Sequence, residues 1–365
     1  MKSTDIPLIR LDSQHIGGSE FTNPHDIVTW MGAMQAQDFP MAKWAIGIRL
    51  PGSTDTSVES AIAKAAILRT HLLRPTWHFV APEDIYWLLD LTAPQIIAGQ
   101  RARNRQLELT NEVYRKSNQI IEKALGLHGQ LNREALILEL NKAGIATDQN
   151  RAAHLLMQAE LEEIICSGAT LRGKPMYALL AERVPKTKRL SKEDALAELA
   201  RRYFTSRCPA TLQDFSWWSG LRARDARNAL DLIRKELNSE TIDGSTYYLP
   251  LDLDHRKPDF PSVQLLPTYD EFIISYANRS ATIPAELETH MKKISDRGVF
   301  WPIIVQNGLV KGIWKRTITK DTLILEAQAF ASMNASSMEL IKAGAQQFAA
   351  FWGRRLEFTL PSNVI

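Results

Sequence analysis

Apolar residues recur along this chain with helical and strand-like periods, and the changes of period mark its elements. In HDIVTWMGAMQ, Ile27, Trp30, Met31 and Met34 fall at i, i+3, i+4 and i+7, one stripe of a helix. Thr22 can cap that helix and Pro24 suits its first turn, so it is predicted to run from there to just before Pro40. Ahead of it, LIRL (8–11) reads as a strand. SVESAIAKAAILR reads as a helix capped by Thr56 or Ser57. THLLRPTWHFV mixes β-branched and aromatic residues around Pro75 and reads as strand or wing. From Pro82 a helix runs towards Gln106, with Glu83 and Asp84 at its positive end.

The middle of the chain repeats one order of elements. Residues 132–144 and 147–168 read as helices stopped by Gly144 and Gly168, followed by two short strands around Gly173-Lys174. Residues 191–206 begin a second round, with a cap from Ser191 and Asp194. ATLQDFSWWSGL is a short helix stopped by Gly220. RARDARNALDLIRKEL sets Ala226, Ala229, Leu230 and Ile233 on one face, and ETIDGSTYYLPL turns at Asp243-Gly244. Helix, turn, helix, hairpin is the order of a winged helix. After about residue 258 the texture becomes β-rich: SVQLLPTYDEFIISY, VFWPIIVQNGLVKGIWKR and DTLILEAQAF read as strands, with Asn307-Gly308 as a hairpin turn. A helix over SMELIKAGAQQFAAFWG and a strand over RRLEFTL follow. The two-proline stretch 253–262 is the expected linker.

Composition narrows the class. With 365 residues, 45% hydrophobic and 23% charged, the chain is globular, which excludes collagen-like, disordered and disulfide-scaffold classes. No apolar run approaches the ~18–20 residues of a membrane span. The start, MKSTDIPLIRLDSQ, lacks the apolar core of a secretory signal. Two cysteines, Cys166 and Cys208, are too few for a disulfide framework, so a cytoplasmic protein with reduced thiols is expected. A net charge of +3 is only mildly basic, but the charge is clustered. Arg101, Arg103 and Arg105 form one group; Lys186, Lys188, Arg189, Lys192, Arg201, Arg202 and Arg207 a second; Arg222, Arg224 and Arg227 a third. Guanidinium forks match phosphate oxygens, while the plain alternative is a solvated helix face.

The common catalytic signatures are missing. There is no GxGxxG, Walker, HExxH, CxxC or GxSxG pattern, and the eight histidines are dispersed, so neither a metal nor an organic cofactor is expected. Asp270-Glu271, read as strand residues pointing to opposite faces, suits a charged turn or structural ion pair better than catalysis. Two features are left. MQAQDFP places Gln35 and Gln37 around Ala36, read at the end of a helix: two neutral amides, or simply a capping or surface pair. LRTHLLRPTWHFV crowds Arg69, His71, Arg74, Trp77 and His78 together, suiting either a nucleic-acid surface or a packed wing.

At these residues the chain resembles the winged-helix DNA glycosylase family, the AlkZ- and AlkX-like proteins, whose members unhook interstrand crosslinks and excise bulky N7-alkylguanines. The resemblance is carried by MQAQDFPMAKWAIGIRL, RTHLLRPTWHFVAPEDIYWLL, AELEEIICSG, LAELARRYFTSRCPATLQDFSWWSGL and LLPTYDEF, from about residue 8 to 353. It implies a mainly α fold with β wings (α+β): winged-helix units over 1–110, 111–188 and 189–252, then a barrel-like β domain over 262–365. The family's catalytic motif is Gln, an aliphatic residue, then Gln or Asp; it falls on Gln35, Ala36 and Gln37. The second glutamine places the chain in the branch similar to self-resistance enzymes of producers of DNA-alkylating antibiotics. Asp38 stands one residue too late to be the motif's Asp.

The resemblance implies a monofunctional hydrolase of N7-alkylguanine in double-stranded DNA, acting as a monomer without cofactor, metal or membrane, cytoplasmic and on the nucleoid when bound. Gln35 and Gln37 would position the water. Arg69, His71, Arg74, Trp77, Arg222, Arg224 and Arg227 are the candidate DNA contacts. The competing reading is a non-catalytic winged-helix DNA binder or transcription regulator.

Overall fold

The computed structural model describes residues 1–171, 173–185, 189–252, 262–290, 295–296 and 299–359. Most of the expected linker, 253–261, lies outside them, as do Lys186 and Lys188. The chain forms two compact units, one of residues 1–58 and 197–365 and the other of 59–196. It is a mixed helix-and-strand protein.

Residues Ile6–Ser13 form helix α1, so LIRL is not a strand. Ile6, Ile9, Arg10 and Ser13 are buried at helical spacing, and Pro7 sits in the first turn, where its missing N–H costs nothing. Helix α2 (Pro24–Met31) is capped by Asn23, whose side chain accepts the Asp26 N–H at 3.1 Å, rather than by Thr22. It stops at Met31, well short of Pro40, because Gly32 turns the chain at φ +67°. A two-residue strand β1 (Met34–Gln35) leads into α3 (Phe39–Gly47), capped by Asp38. Helix α4 (Asp55–Ala63) follows; the Ser57 N–H donates to Thr54 Oγ1 at 3.1 Å, so Thr54 does the work expected of Thr56 or Ser57.

Strands β2 (Leu68–Leu72) and β3 (Thr76–Val80) form the expected hairpin, in register from Leu68 opposite Val80 to Leu72 opposite Thr76. The long α5 (Ile85–Gln106) begins after Asp84. Then come α6 (Asn111–His128), β4 (Gln130–Asn132), α7 (Arg133–Lys142) and α8 (Arg151–Leu161). Helix α8 ends at Leu161, not at Gly168, because Glu163 takes a left-handed φ of +61°. ICSG therefore opens strand β5 (Ile165–Leu171), which pairs with β6 (Lys174–Leu179) in a sheet ordered β4-β6-β5. Leu125, Leu136, Leu140, Leu155 and Ile165 are fully buried in one core. The short α9 (Leu180–Arg183) follows β6.

Helices α10 (Lys192–Ser206), α11 (Leu212–Ser219) and α12 (Ala223–Leu232), then the β7–β8 hairpin (Leu237–Ile242 and Ser245–Pro250), match the sequence reading. Thr211 and Asp214 form a reciprocal cap on α11, and Gly220 ends it. Beyond them lie β9 (Val263–Leu266) and a single helical turn, α13 (Glu271–Ile274), where strand was expected. Asp270 nucleates that turn by accepting the Phe272 N–H at 2.9 Å. Short strands β10 (Ser295–Asp296) and β11 (Val299–Phe300) precede β12 (Ile303–Gln306), β13 (Leu309–Ile318) and β14 (Thr322–Ala329). Helix α14 (Ala335–Phe351) and β15 (Arg355–Thr359) follow. The main sheet is ordered β15-β14-β13-β12-β9, antiparallel except for the β14–β15 pair, and curls into a half-barrel. Helices α3 and α14 meet this sheet through Trp44, Trp314 and Phe348. Both indole N–H groups donate to β9 carbonyls, Trp44 to Leu265 at 2.8 Å and Trp314 to Leu266 at 2.9 Å.

Candidate active site

The Gln-x-Gln segment occupies extended chain between α2 and α3, not a helix end. Gly32 breaks the first helix and Asp38 caps the second, accepting the Met41 N–H at 3.3 Å, so only Ala33–Gln37 connects them. Extended backbone lets residues two apart share a direction, yet their exposure differs. Gln35 is 9% exposed and Ala36 fully buried, while Gln37 is exposed.

What holds this segment is a buried ion pair. The Gln35 backbone N–H donates to Glu271 Oε1 at 2.7 Å. Glu271 Oε2 accepts from Arg207 Nη2 at 2.8 Å, Ser275 Oγ at 2.6 Å and Trp218 Nε1 at 3.0 Å. Arg207 in turn donates to the Met31 and Ala33 carbonyls, each at 2.7 Å. One acid and one base from distant parts of the sequence thus grip both polarities of the backbone entering the motif. Both charges are buried. Burial opposes ionisation of Glu271, but the Arg207 charge and the hydrogen bonds from Ser275 and Gln35 outweigh it and hold the carboxyl at about 2.

A second buried pair backs the first. Arg49 grips Asp270 with both arms, at 2.9 and 2.8 Å, and also donates to Gln14 Oε1 at 2.9 Å. Gln14 donates to the Tyr276 hydroxyl, which donates to the Arg207 carbonyl at 3.0 Å. The Asp270-Glu271 pair is therefore structural, as its sequence suggested, but sits on a helical turn rather than a strand. Arg207 corrects the sequence reading: grouped there with surface basic residues, it is wholly interior. Nothing in the SRCPATLQDF stretch marks its arginine as buried, because the partners that hold it come from far along the chain.

The other candidates divide by unit. In the 59–196 unit, the Arg69 guanidinium lies 4.0 Å from the Trp77 ring centre, and Trp77 lies 4.0 Å from the His71 ring. His71 Nδ1 also pairs with the fully buried Glu160, and Arg74 is half-buried. Arg69, Trp77 and His71 thus form a packed stack. His78 is buried, its Nδ1 2.9 Å from the Thr76 carbonyl. In the other unit, Arg222, Arg224 and Arg227 are exposed along α12 and its cap. The second basic cluster is largely neutralised: Arg189 pairs with Asp90 and Glu163, Arg201 with Glu198 and Glu236, and Arg202 with Glu198. Among the described residues, no three His, Cys, Asp or Glu side chains converge to hold a metal ion.

A curated protein of Streptomyces sahachiroi, "Interstrand DNA cross-link repair glycosylase", is 20% identical over 323 residues, covering 84% of this chain and 85% of that protein. The solved structure of Streptomyces sahachiroi DNA glycosylase AlkZ superposes with a TM-score of 0.79 at 17% identity, covering 99% of this chain and all of that one; this likeness shows the fold. Among the described residues, no helix is long and apolar enough to cross a membrane. The family described as "DNA glycosylase AlkZ-like" matches residues 28–351, which include the Gln-x-Gln segment and the Glu271–Arg207 pair that grips it, and the chain belongs to that family.

Proposed function

We propose that this DNA glycosylase hydrolyses the N-glycosidic bond of N7-alkylated guanine in double-stranded DNA, including bulky and crosslinked adducts, with Gln35 and Gln37 positioning the water. The observation that carries this reading is the grip of Glu271 and Arg207 on the backbone that leads into the motif, from the Met31 and Ala33 carbonyls to the Gln35 N–H. N7-alkylation makes the base cationic, so it leaves as a neutral species and needs little acid assistance. The sugar then passes through an oxocarbenium-like state. A carboxamide is a negligible base, but its carbonyl orients water and its dipole stabilises developing positive charge. Undamaged bases would demand a stronger base, and its absence spares normal DNA. The motif supplies no lysine for a Schiff base, so the reaction ends at the abasic site.

In this reading the segments 1–110, 111–188 and 189–252 act as winged-helix units and 262–365 as a barrel-like domain. The protein works as a cytoplasmic monomer on the nucleoid. Arg69, His71, Arg74, Trp77, Arg222, Arg224 and Arg227 contact the duplex, the arginines mainly through phosphate. The test uses a labelled duplex with one N7-alkylguanine, treated with wild type or Gln37→Ala and then with hot alkali. Strand cleavage by wild type, reduced at least about tenfold in the variant, is expected. Equal cleavage by both proteins, above spontaneous depurination, would remove Gln37 from the chemistry. No enzyme-dependent cleavage of either a methyl or a bulky adduct would remove the substrate assignment.

A further inference from the structure

Arg316 on β13 is a cation on the core side of the main sheet. It follows Trp314 by two residues, so the two share a face, and their partners across the ladder, Leu325 and Ala327, are fully buried. Lys315 and Glu326, on the other face, are exposed. Burial works against the Arg316 charge and lowers its pKa, and the Asp38 carboxylate opposes this. Arg316 Nη2 lies 3.9 Å from Asp38 Oδ1, beyond direct hydrogen-bond reach, and the guanidinium makes no hydrogen bond to any described residue. An ion pair of this kind adds little to stability, because the cost of taking charge out of water cancels much of the attraction. Stability of the fold therefore does not account for a cation at this place.

Asp38 is the residue after Gln37, and its carboxylate is faced from three elements. The N-terminus of α3 donates the Met41 N–H to Oδ1 at 3.3 Å. Arg316 approaches from β13. Tyr269 comes from the segment between β9 and α13: burial, and then the Asp38 charge, push its hydroxyl up. Tyr269 has a left-handed φ of +59°, uncommon for a side chain of this size. The two residues that follow it, Asp270 and Glu271, are locked by Arg49 and Arg207, and Glu271 accepts the Gln35 N–H. One segment thus reaches the chain on both sides of Ala36, through Glu271 before it and towards Asp38 after it. The exposed Gln37 precedes a carboxylate set between a helix end and a cation.

We propose that Arg316 is a positioning residue of base excision: by its charge it fixes Asp38, and through Asp38 the direction of the Gln37 side chain. This rests on the water-positioning role given to Gln37 above. The pair acts over 3.9 Å without a hydrogen bond, so it needs a positive charge but no guanidinium fork. Lysine can serve, and an uncharged side chain of similar length cannot.

The test measures kcat and KM for excision of N7-methylguanine from a duplex by the full chain and by Arg316→Met, Arg316→Lys, Asp38→Asn and the double variant Arg316→Met/Asp38→Asn. Asn keeps the α3 cap, and Met fills the space of the arginine stem. Arg316→Met is expected to lower kcat about tenfold or more with KM unchanged, as a small displacement of a reacting group does. Arg316→Lys restores most of the rate. The double variant is no slower than the slower single one, because both changes act through one interaction. Hydrogen exchange, read on overlapping peptides, becomes faster at the Gln37 and Asp38 amides in Arg316→Met and is unchanged at Gln35. A raised KM with unchanged kcat, and a salt slope of duplex affinity smaller by about 0.9, would make Arg316 a phosphate contact and overturn the proposal. Losses that multiply in the double variant, or unaltered exchange at Gln37, overturn it as well. If wild type excises no N7-methylguanine, the substrate reading falls, and exchange at Gln37 alone decides the positioning.

Discussion

Glu271 keeps a negative charge where almost no water reaches it, because four donors close on its two oxygens. Replacing it with Gln leaves Arg207 buried without its counter-charge, and Glu271→Gln is expected to destabilise the fold by about 3–5 kcal/mol at pH 7, measured by urea unfolding. The pH dependence has a definite sign. The carboxyl sits at about 2 in the fold, below its ordinary 4.5, so its contribution is complete above 4.5 and is lost as pH falls towards 2. The stability gap between wild type and Glu271→Gln should therefore narrow between pH 4.5 and 2; a constant gap would mean the carboxyl is not ionised in the fold. The glutamines themselves were legible as residue types and spacing. Their anchor was not, because Gln35 and Glu271 are separated by 236 residues and neither stretch carries a sign of the other.

At the scale of elements, local pattern served wherever a cap, a glycine stop or a turn pair marked the ends. α11, the β7–β8 hairpin and the Asn307-Gly308 turn are examples. It misled where a tertiary partner chose the conformation. α1 buries Arg10 and Ser13 alongside its apolar residues, so its helical face does not show as an apolar stripe. α13 exists because Asp270 caps a turn whose acids are held by Arg49 and Arg207. Close packing of α3 against α14 makes its own demand. A Cβ at Gly47 would lie 2.6 Å from Phe351 Cε2, inside van der Waals contact. Gly47→Ala is expected to cost about 1–3 kcal/mol through overpacking, read as a lower urea midpoint with an unchanged slope. An unchanged midpoint would mean that α14 can retreat freely from α3.

For the whole molecule, the mild net charge matters less than which cations are neutralised within the fold. Acids occupy Arg189, Arg201 and Arg202, whereas Arg222, Arg224 and Arg227 stand exposed, with no ion pair to any described residue. If these three meet phosphates, changing all of them to Ala should lower the magnitude of the salt slope of duplex affinity by about 3, near 0.9 for each contact. Binding titrations from low to moderate salt would measure it, and an unchanged slope would place DNA elsewhere. The same scale shows a join that chain order conceals: residues 1–58 share a compact unit with residues 197–365.

By itself the sequence determined the helices and hairpins with clear local punctuation, the helix–hairpin order, the Gln-x-Gln motif and the family resemblance. These are recorded in short stretches, where spacing, caps and turn residues act on near neighbours. Only the tertiary structure decided that the motif runs through extended chain, that Arg207 is interior while Arg222 is exposed, and that Arg316 faces Asp38. The physical reason is the same in each case. Burial and charge pairing depend on groups brought together across hundreds of residues, and their free energies override the local preferences that a sequence displays.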